Sequence, residues 1–325
     1  MNAPISAGTT SVRVLGTPLD FHTRQRLNRR RSFWLLAVFL GGFVTLGLGL
    51  DAVWTGISSG GWPLPVITLI AGSIATVLSV VGYFRGAEMV MGSLHARPLD
   101  PHNADHRQLQ NVVTEIALAA GLPPPCVYII PDPSPNALAS GRDPEHGVMA
   151  VTQGLLNVVD RAELQGVVAH EMAHIGNRDT LTMTLVGILF GGALMLSDWA
   201  RRVLFLDRGR KSHPLLFILV ILLVAVTPLL SRLLAMAVSR QREYLADATA
   251  VQFTRNPLGL ASALEKIGAG TSPLRSATRG TAHLFISNPW TRRIDQRDGA
   301  LADLLSSHPP LRQRIAILRA MVRGG

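Results

Sequence analysis

The chain has 325 residues, of which 48% are hydrophobic and only 16% charged, with a formal net charge of +10. That length holds a sizeable core and more than one structural unit, while a mean hydropathy of +0.29 is too apolar for an ordinary soluble enzyme and points to membrane segments. The basic residues cluster beside apolar runs, which suits contact with anionic lipid and argues against nucleic acid as a partner; the single cysteine, Cys126, excludes an internal disulfide and a Cys-rich structural metal site.

Residues 1–23 carry no regular pattern. "RQRLNRRR" (Arg24–Arg31) then leads into "SFWLLAVFLGGFVTLGLGL" (Ser32–Leu50), an uncharged run long enough to span a bilayer as a helix. A cleaved signal peptide is the rival reading, but the leading segment is long for one and "DAVWTG" lacks a small-residue cleavage site. A second run, Leu64–Phe84, follows a nearly uncharged loop, with Arg85 and Arg97 beyond it. The positive-inside rule puts the N-terminus and everything after residue 85 in the cytoplasm. Residues 1–31 therefore read as a cytoplasmic N-terminal extension and 32–84 as a two-helix anchor.

Residues 85–179 read as soluble. "DHRQLQNVVTEIALAAG" (Asp105–Gly121) has Leu109, Val112, Val113 and Ile116 at helical spacing, and Gly121 is a stop signal. After a proline-rich break, Val127–Ile130 predicts a short strand. "NALASGRDPEHGVMAVT" predicts two strands around a polar turn. "DRAELQGVVAHEMAHIGNRD" (Asp160–Asp179) is a predicted helix opened by Asp160 and Glu163 at capping-box spacing.

Residues 180–231 hold two more uncharged runs, 180–197 and 214–231, around the basic loop "DWARRVLFLDRGRKSH". As helix each run measures about 27 Å, close to the hydrocarbon thickness. The basic loop argues for a cytoplasmic position. The first helix pair dominates orientation, however, and flanking Arg can snorkel, so the expectation is a crossing hairpin. Residues 232–325 are soluble again.

On a helix, His170 and His174 sit about 40° apart on one face, so both imidazoles can reach one ion; Glu171 lies about 100° round from His170, placed as a general base. This is the H-E-x-x-H pattern, two zinc ligands and a base, although so short a motif also arises by chance. The extended motif that adds a later histidine is ruled out by Asn177 and Thr180. A gluzincin-type site takes Glu from a later helix. "SRQREYLADATAV" (Ser239–Val251) offers Glu243, with Asp247 one turn on as an acceptor for a ligating His N–H. On spacing alone, a solvated helix face beside Arg240 and Arg242 fits those two residues equally well.

Several blocks together resemble one family, the HtpX-type membrane-bound zinc metalloproteases, relatives of the CAAX prenyl endopeptidases and of the mitochondrial stress protease Oma. They are Pro135–Leu156, "AHEMAHIGNRD" (Ala169–Asp179), "SRQREYLADA" (Ser239–Ala248), "TAHLFISNP" (Thr281–Pro289) and "SHPPLRQRI" (Ser307–Ile315), in order from about residue 86 to the C-terminus. The resemblance implies one Zn2+ per chain on His170, His174 and Glu243, with Glu171 catalytic and Asp247 behind a ligand. It implies that Asn136, Ala137, Leu138, Ala139 and Ser140 form an edge strand that holds the substrate backbone by strand addition. His308 and Arg314 match a C-terminal H-P-x-x-x-x-R pattern where either can stabilise an oxyanion; an ordered turn and a surface helix are their structural alternatives. About 30 residues before the first helix depart from the family pattern.

The expected fold is a mainly α membrane protein with a small β-sheet in a gluzincin-type zinc metalloprotease domain and about four transmembrane helices. Residues 85–179 and 232–325 supply its two parts. The expected function is cytoplasm-facing, zinc-dependent endoproteolysis in a prokaryotic inner membrane, with polypeptide substrates, membrane proteins among them, and a quality-control role. A site-2-type intramembrane protease needs its zinc motif inside an apolar span and a later L-D-G; Glu163, Arg178 and "LDRG" (Leu206–Gly209) argue against it. A non-catalytic membrane scaffold keeping the fold is the alternative outside enzymology, and the presence of Glu171 weighs against it.

Overall fold

The two N-terminal apolar runs become the two longest helices among the described residues, α1 (Phe21–Ser58) and α2 (Val66–Ser93). The structure, a computed structural model, describes residues 21–58, 64–189, 191, 240–270, 273–278, 280–289 and 309–323. Helix α1 starts well before the apolar run, because Arg, Gln and Leu in the basic stretch are good helix formers. Leu27–Gly49 and Val66–Ser93 are each long and apolar enough to cross a membrane. Phe33, Trp34, Leu69, Ile70 and Phe84 stay exposed along them, as a lipid-facing surface requires. The hairpin closes through Asp51 of α1. It accepts hydrogen bonds from the Ile67 N–H (3.0 Å), the Thr68 N–H (2.8 Å) and the Thr68 hydroxyl (2.7 Å), so it satisfies first-turn donors of α2 that Pro65 cannot.

Beyond the hairpin lies a mixed sheet of β1 (Arg97–Pro98), β2 (Cys126–Ile130), β3 (Ala137–Ser140) and β4 (Val148–Thr152), in the order β1-β2-β4-β3. β2 and β4 are parallel and the other pairs antiparallel. The predicted helix becomes α3 (Ala104–Ala120). It buries Leu109, Val112, Val113 and Ile116 and ends at Gly121 in the left-handed region, φ 65°. The turn α4 (Gln153–Leu156) links β4 to α5 (Arg161–Gly176). α5 packs against α3, β3 and two later helices, α7 (Arg240–Thr254) and α8 (Pro257–Ala269); α9 (Leu311–Arg323) lies on α7 and α8.

α5 is buried almost all round, from Glu163 to Gly176. Two glycines permit its close crossing with α8: a Cβ on Gly166 would stand 2.6 Å from the Leu260 nitrogen, and one on Gly259 would stand 2.6 Å from the Ala162 oxygen. Of the expected 180–231 hairpin, only 180–189 and 191 lie within the described residues; 179–189 form α6 (Asp179–Leu189). The four-span expectation therefore rests partly outside them, and two helices among the described residues are long and apolar enough to span. The mainly helical character and the small mixed sheet are as expected.

Candidate metal centre

Burying two histidines and a glutamate inside a helix costs several kcal/mol unless each finds a partner. In α5 they do. The helix is started by a reciprocal capping box, Glu163 N–H to Asp160 Oδ1 (2.9 Å) and Asp160 N–H to Glu163 Oε2 (2.7 Å). Two turns later His170 and His174 project together, with Nε2 atoms 3.2 Å apart. Glu243 arrives from α7 through the buried stripe Glu243–Ala246–Asp247–Ala250. Its carboxylate oxygens lie 3.7 Å from His170 Nε2 and 3.7 Å from His174 Nε2.

These three side chains each offer one donor atom, all within 4.8 Å of one another, and form a group among the described residues that could hold a metal ion. Ligands about 2.1 Å from a tetrahedral ion stand roughly 3.4 Å apart, so the separations suit a divalent cation. Two imidazole nitrogens and one carboxylate suit zinc in particular. Glu171 is buried beside them, and its Oε1 has no hydrogen-bond partner among the described residues. An unpartnered buried carboxylate oxygen is expensive for stability alone and is what a group reserved for substrate or water presents.

Both histidines are oriented from behind. His170 Nδ1 lies 3.0 Å from Asp247 Oδ1, and His174 Nδ1 lies 3.2 Å from Asp179 Oδ2. A carboxylate on Nδ1 fixes the tautomer that leaves Nε2 free to ligate. Asp179 reaches His174 because the helix breaks. Arg178 takes φ 58°, a left-handed value unusual for a residue with a Cβ, and α6 begins immediately after it. On an unbroken helix a side chain five residues on would point about 140° away.

Arg314 of α9 lies behind Asp247, fully buried. Its Nε and Nη2 donate to Asp247 Oδ2 (2.8 Å) and Oδ1 (2.7 Å), its Nη1 donates to the Ile286 carbonyl (2.9 Å), and Nη1 is 3.3 Å from Glu243 Oε2. This network sets the electrostatics. Burial raises the Asp247 pKa, but the Arg314 charge and the bonds from His170 and Arg314 take it below the ordinary carboxylate value. For His170, burial and Arg314 lower the pKa, yet bonds to Asp247 and Glu243 outweigh them and push it up to about 9. Burial raises the Glu171 pKa, with His170 and His174 opposing. A cation at the three donors would take the place of the proton on His170.

The expected substrate strand is β3, at the edge of the described sheet. All four of its residues are buried, and its outer edge already meets Phe285, in an antiparallel bridge to Leu138, while the Ile286 N–H donates to the Ala137 carbonyl at 2.9 Å. Asn136 donates through Nδ2 to the Ser287 carbonyl (3.0 Å), and the Ser140 hydroxyl bonds Thr184 of α6 (2.7 Å). His283, in the block Thr281–Pro289, has Nε2 on the Met183 carbonyl at 2.8 Å. His308 lies outside the described residues. Sequence spacing missed Asp179, and also Asn28 of α1, whose side chain reaches Asp179.

Known proteins resemble this chain. The profile of Peptidase family M48 matches residues 103–322. A protein of Caldanaerobacter subterraneus subsp. tengcongensis named Protease HtpX homolog is 38% identical over 313 residues, 94% of this chain and 99% of that one. One of Thermococcus sibiricus with the same name is 40% identical over 259 residues, 77% of this chain and 85% of its own. The solved structure of S. mikatae Ste24p superposes with a TM-score of 0.48 at 17% identity, over 91% of this chain and 67% of that one.

Proposed function

We propose that this chain, which belongs to peptidase family M48 and is a metalloprotease, is a membrane-integrated, zinc-dependent endopeptidase working at the cytoplasmic face of a prokaryotic inner membrane. Its proposed substrates are damaged or misassembled membrane proteins. The observation that carries the chemistry is the convergence of His170, His174 and Glu243 beside Glu171. His170, His174 and Glu243 would hold the zinc, which would supply Lewis-acid chemistry toward a peptide carbonyl and a water. Glu171 Oε1 accepts the proton of the attacking water and returns it to the leaving amine. Asp247 and Asp179 hold the two imidazoles. Arg314, with its side chain buried against Asp247, acts by holding that carboxylate, which leaves His308 as the oxyanion donor. Substrate adds along β3 at Asn136–Ser140, where the Phe285–Ile286 contact must yield or be extended.

The two exposed apolar helices support the anchor, and the arginines at both of its ends support the cytoplasmic orientation. The proposed topology has four spans, with residues 180–231 crossing and returning. A cysteine at Ser212, in a Cys126→Ala background, tests this: a membrane-impermeant thiol reagent should label it in intact cells, and labelling only after lysis would leave two spans. The activity is tested on the full chain purified in detergent with chelator and then given zinc. Casein cleavage or self-cleavage should appear with about one zinc per chain. A chain that folds and anchors but neither binds zinc nor cleaves would be a scaffold.

A further inference from the structure

The helix that anchors the chain also touches the metal centre. Asn28 is on α1, in the basic stretch before the apolar run, yet it is only 6% exposed. Its amide nitrogen donates twice. One bond, 2.8 Å, goes to the carbonyl of Asn177, the residue that caps α5; the other, 2.7 Å, goes to Oδ1 of Asp179. These two acceptors lie on either side of Arg178, where the helix breaks. A single amide therefore clamps both sides of the break that turns Asp179 back onto His174.

Asp179 needs that clamp. It is 1% exposed, and its Oδ2 faces His174 Nδ1. Its Oδ1 then requires a donor of its own to fix the plane of the carboxylate. Among the described residues Asn28 supplies it within hydrogen-bond distance, whereas Arg242 Nη1 comes only to 3.8 Å. One turn further along α1, the Ser32 hydroxyl bonds the Thr182 hydroxyl of α6 at 2.7 Å. That contact docks the same helix without touching the carboxylate, and so it provides an internal control.

We propose that Asn28 is a positioning residue of the metal centre: through Asp179 it sets the orientation of the His174 imidazole, so the N-terminal helix is a working part of the site as well as its anchor. This rests on the reading of His174 as a metal ligand. It gives a role to a residue of the N-terminal segment that the family resemblance left without one.

The test uses the full chain in detergent, stripped and reloaded with cobalt(II) or zinc, as parent, Asn28→Ala and Ser32→Ala. Three quantities are read: the visible d–d spectrum of the cobalt form, zinc affinity by competition with a chromogenic chelator, and kcat and KM on a peptide. Asn28→Ala should shift the cobalt bands, weaken zinc on the order of 10-fold and lower kcat with KM little changed. Ser32→Ala should match the parent in all three. The inference is overturned if Asn28→Ala keeps the parent spectrum and affinity, or if Ser32→Ala weakens zinc as much, since docking of α1 alone would then explain the effect. Should Asn28→Ala not fold, Asn28→Ser replaces it; one hydroxyl cannot serve both acceptors, and parent-like affinity in that variant counts against the inference. A parent that binds no metal would overturn the metal-site reading itself, and this inference with it.

Discussion

His170 Nδ1 and Asp247 Oδ1 lie 3.0 Å apart, and the same carboxylate takes two hydrogen bonds from Arg314. Asp247 thus makes two contacts, one to a proposed ligand and one to a buried guanidinium, and their contributions can be separated. Asp247→Ala should weaken zinc about 10–100-fold, because the imidazole loses its acceptor. It should also cost about 3–5 kcal/mol of stability, because Arg314 loses its two-bond carboxylate partner and keeps only Glu243 at 3.3 Å. Adding Arg314→Met should return much of the thermal stability and little of the affinity. Chelator competition and thermal melts in detergent measure the two, and recovery of both together would show that Asp247 acts only through Arg314.

Glu171 is buried with one oxygen unpartnered, an arrangement that favours function over stability. Glu171→Gln should keep zinc content and lower proteolysis by at least about 100-fold, since proton transfer is lost. Its melting temperature should equal or exceed that of the parent, because a buried charge has been removed. Near-parent cleavage by this variant would place the base elsewhere.

What could be read from the sequence was local. The capping box at Asp160 and Glu163, the α3 stripe ending at Gly121 and the shared face of His170 and His174 all depend on residues a few positions apart. Glu243 and Asp247 were visible as an i, i+4 pair, but spacing did not say which way their helix faced; burial against His170 does. Asp179 was hidden because residues 160–179 read as one helix, and nothing in Asn177–Arg178 announces a left-handed residue without glycine. Asn28 was hidden because its contact spans 151 positions, beyond any local pattern.

The Gly166 crossing makes a further stability prediction. Alanine in mid-helix is ordinarily worth about 1 kcal/mol over glycine. Here its Cβ would stand 2.6 Å from the Leu260 nitrogen and 2.7 Å from its Cα, atoms of a packed backbone that cannot rotate away. Overpacking of that kind costs about 1–3 kcal/mol, so Gly166→Ala should lower the melting temperature despite the better helix former. α5 carries both histidines, so zinc affinity should fall as well. A stabilised Gly166→Ala would show that α5 and α8 can separate freely.

Glu163 links the capping box to α8 and makes part of the fold's stability depend on pH. It accepts hydrogen bonds from Lys266 Nζ (2.6 Å), the Ser262 hydroxyl and the Asp160 N–H. Burial raises its pKa, but these bonds outweigh burial and hold it below the ordinary 4.5. The sign follows: a carboxylate whose pKa is depressed by folding stabilises the fold fully above 4.5, and that contribution is lost as pH falls through the lower folded value. Glu163→Gln keeps the shape but turns an amide toward Lys266. It should cost about 1–2 kcal/mol at neutral pH, a value kept low by the exposure of Lys266. Melting temperatures of parent and variant, followed from neutral pH downward, should converge below 4.5 as the parent loses its advantage. A constant gap across that range would mean that packing, and not the carboxylate charge, makes the difference.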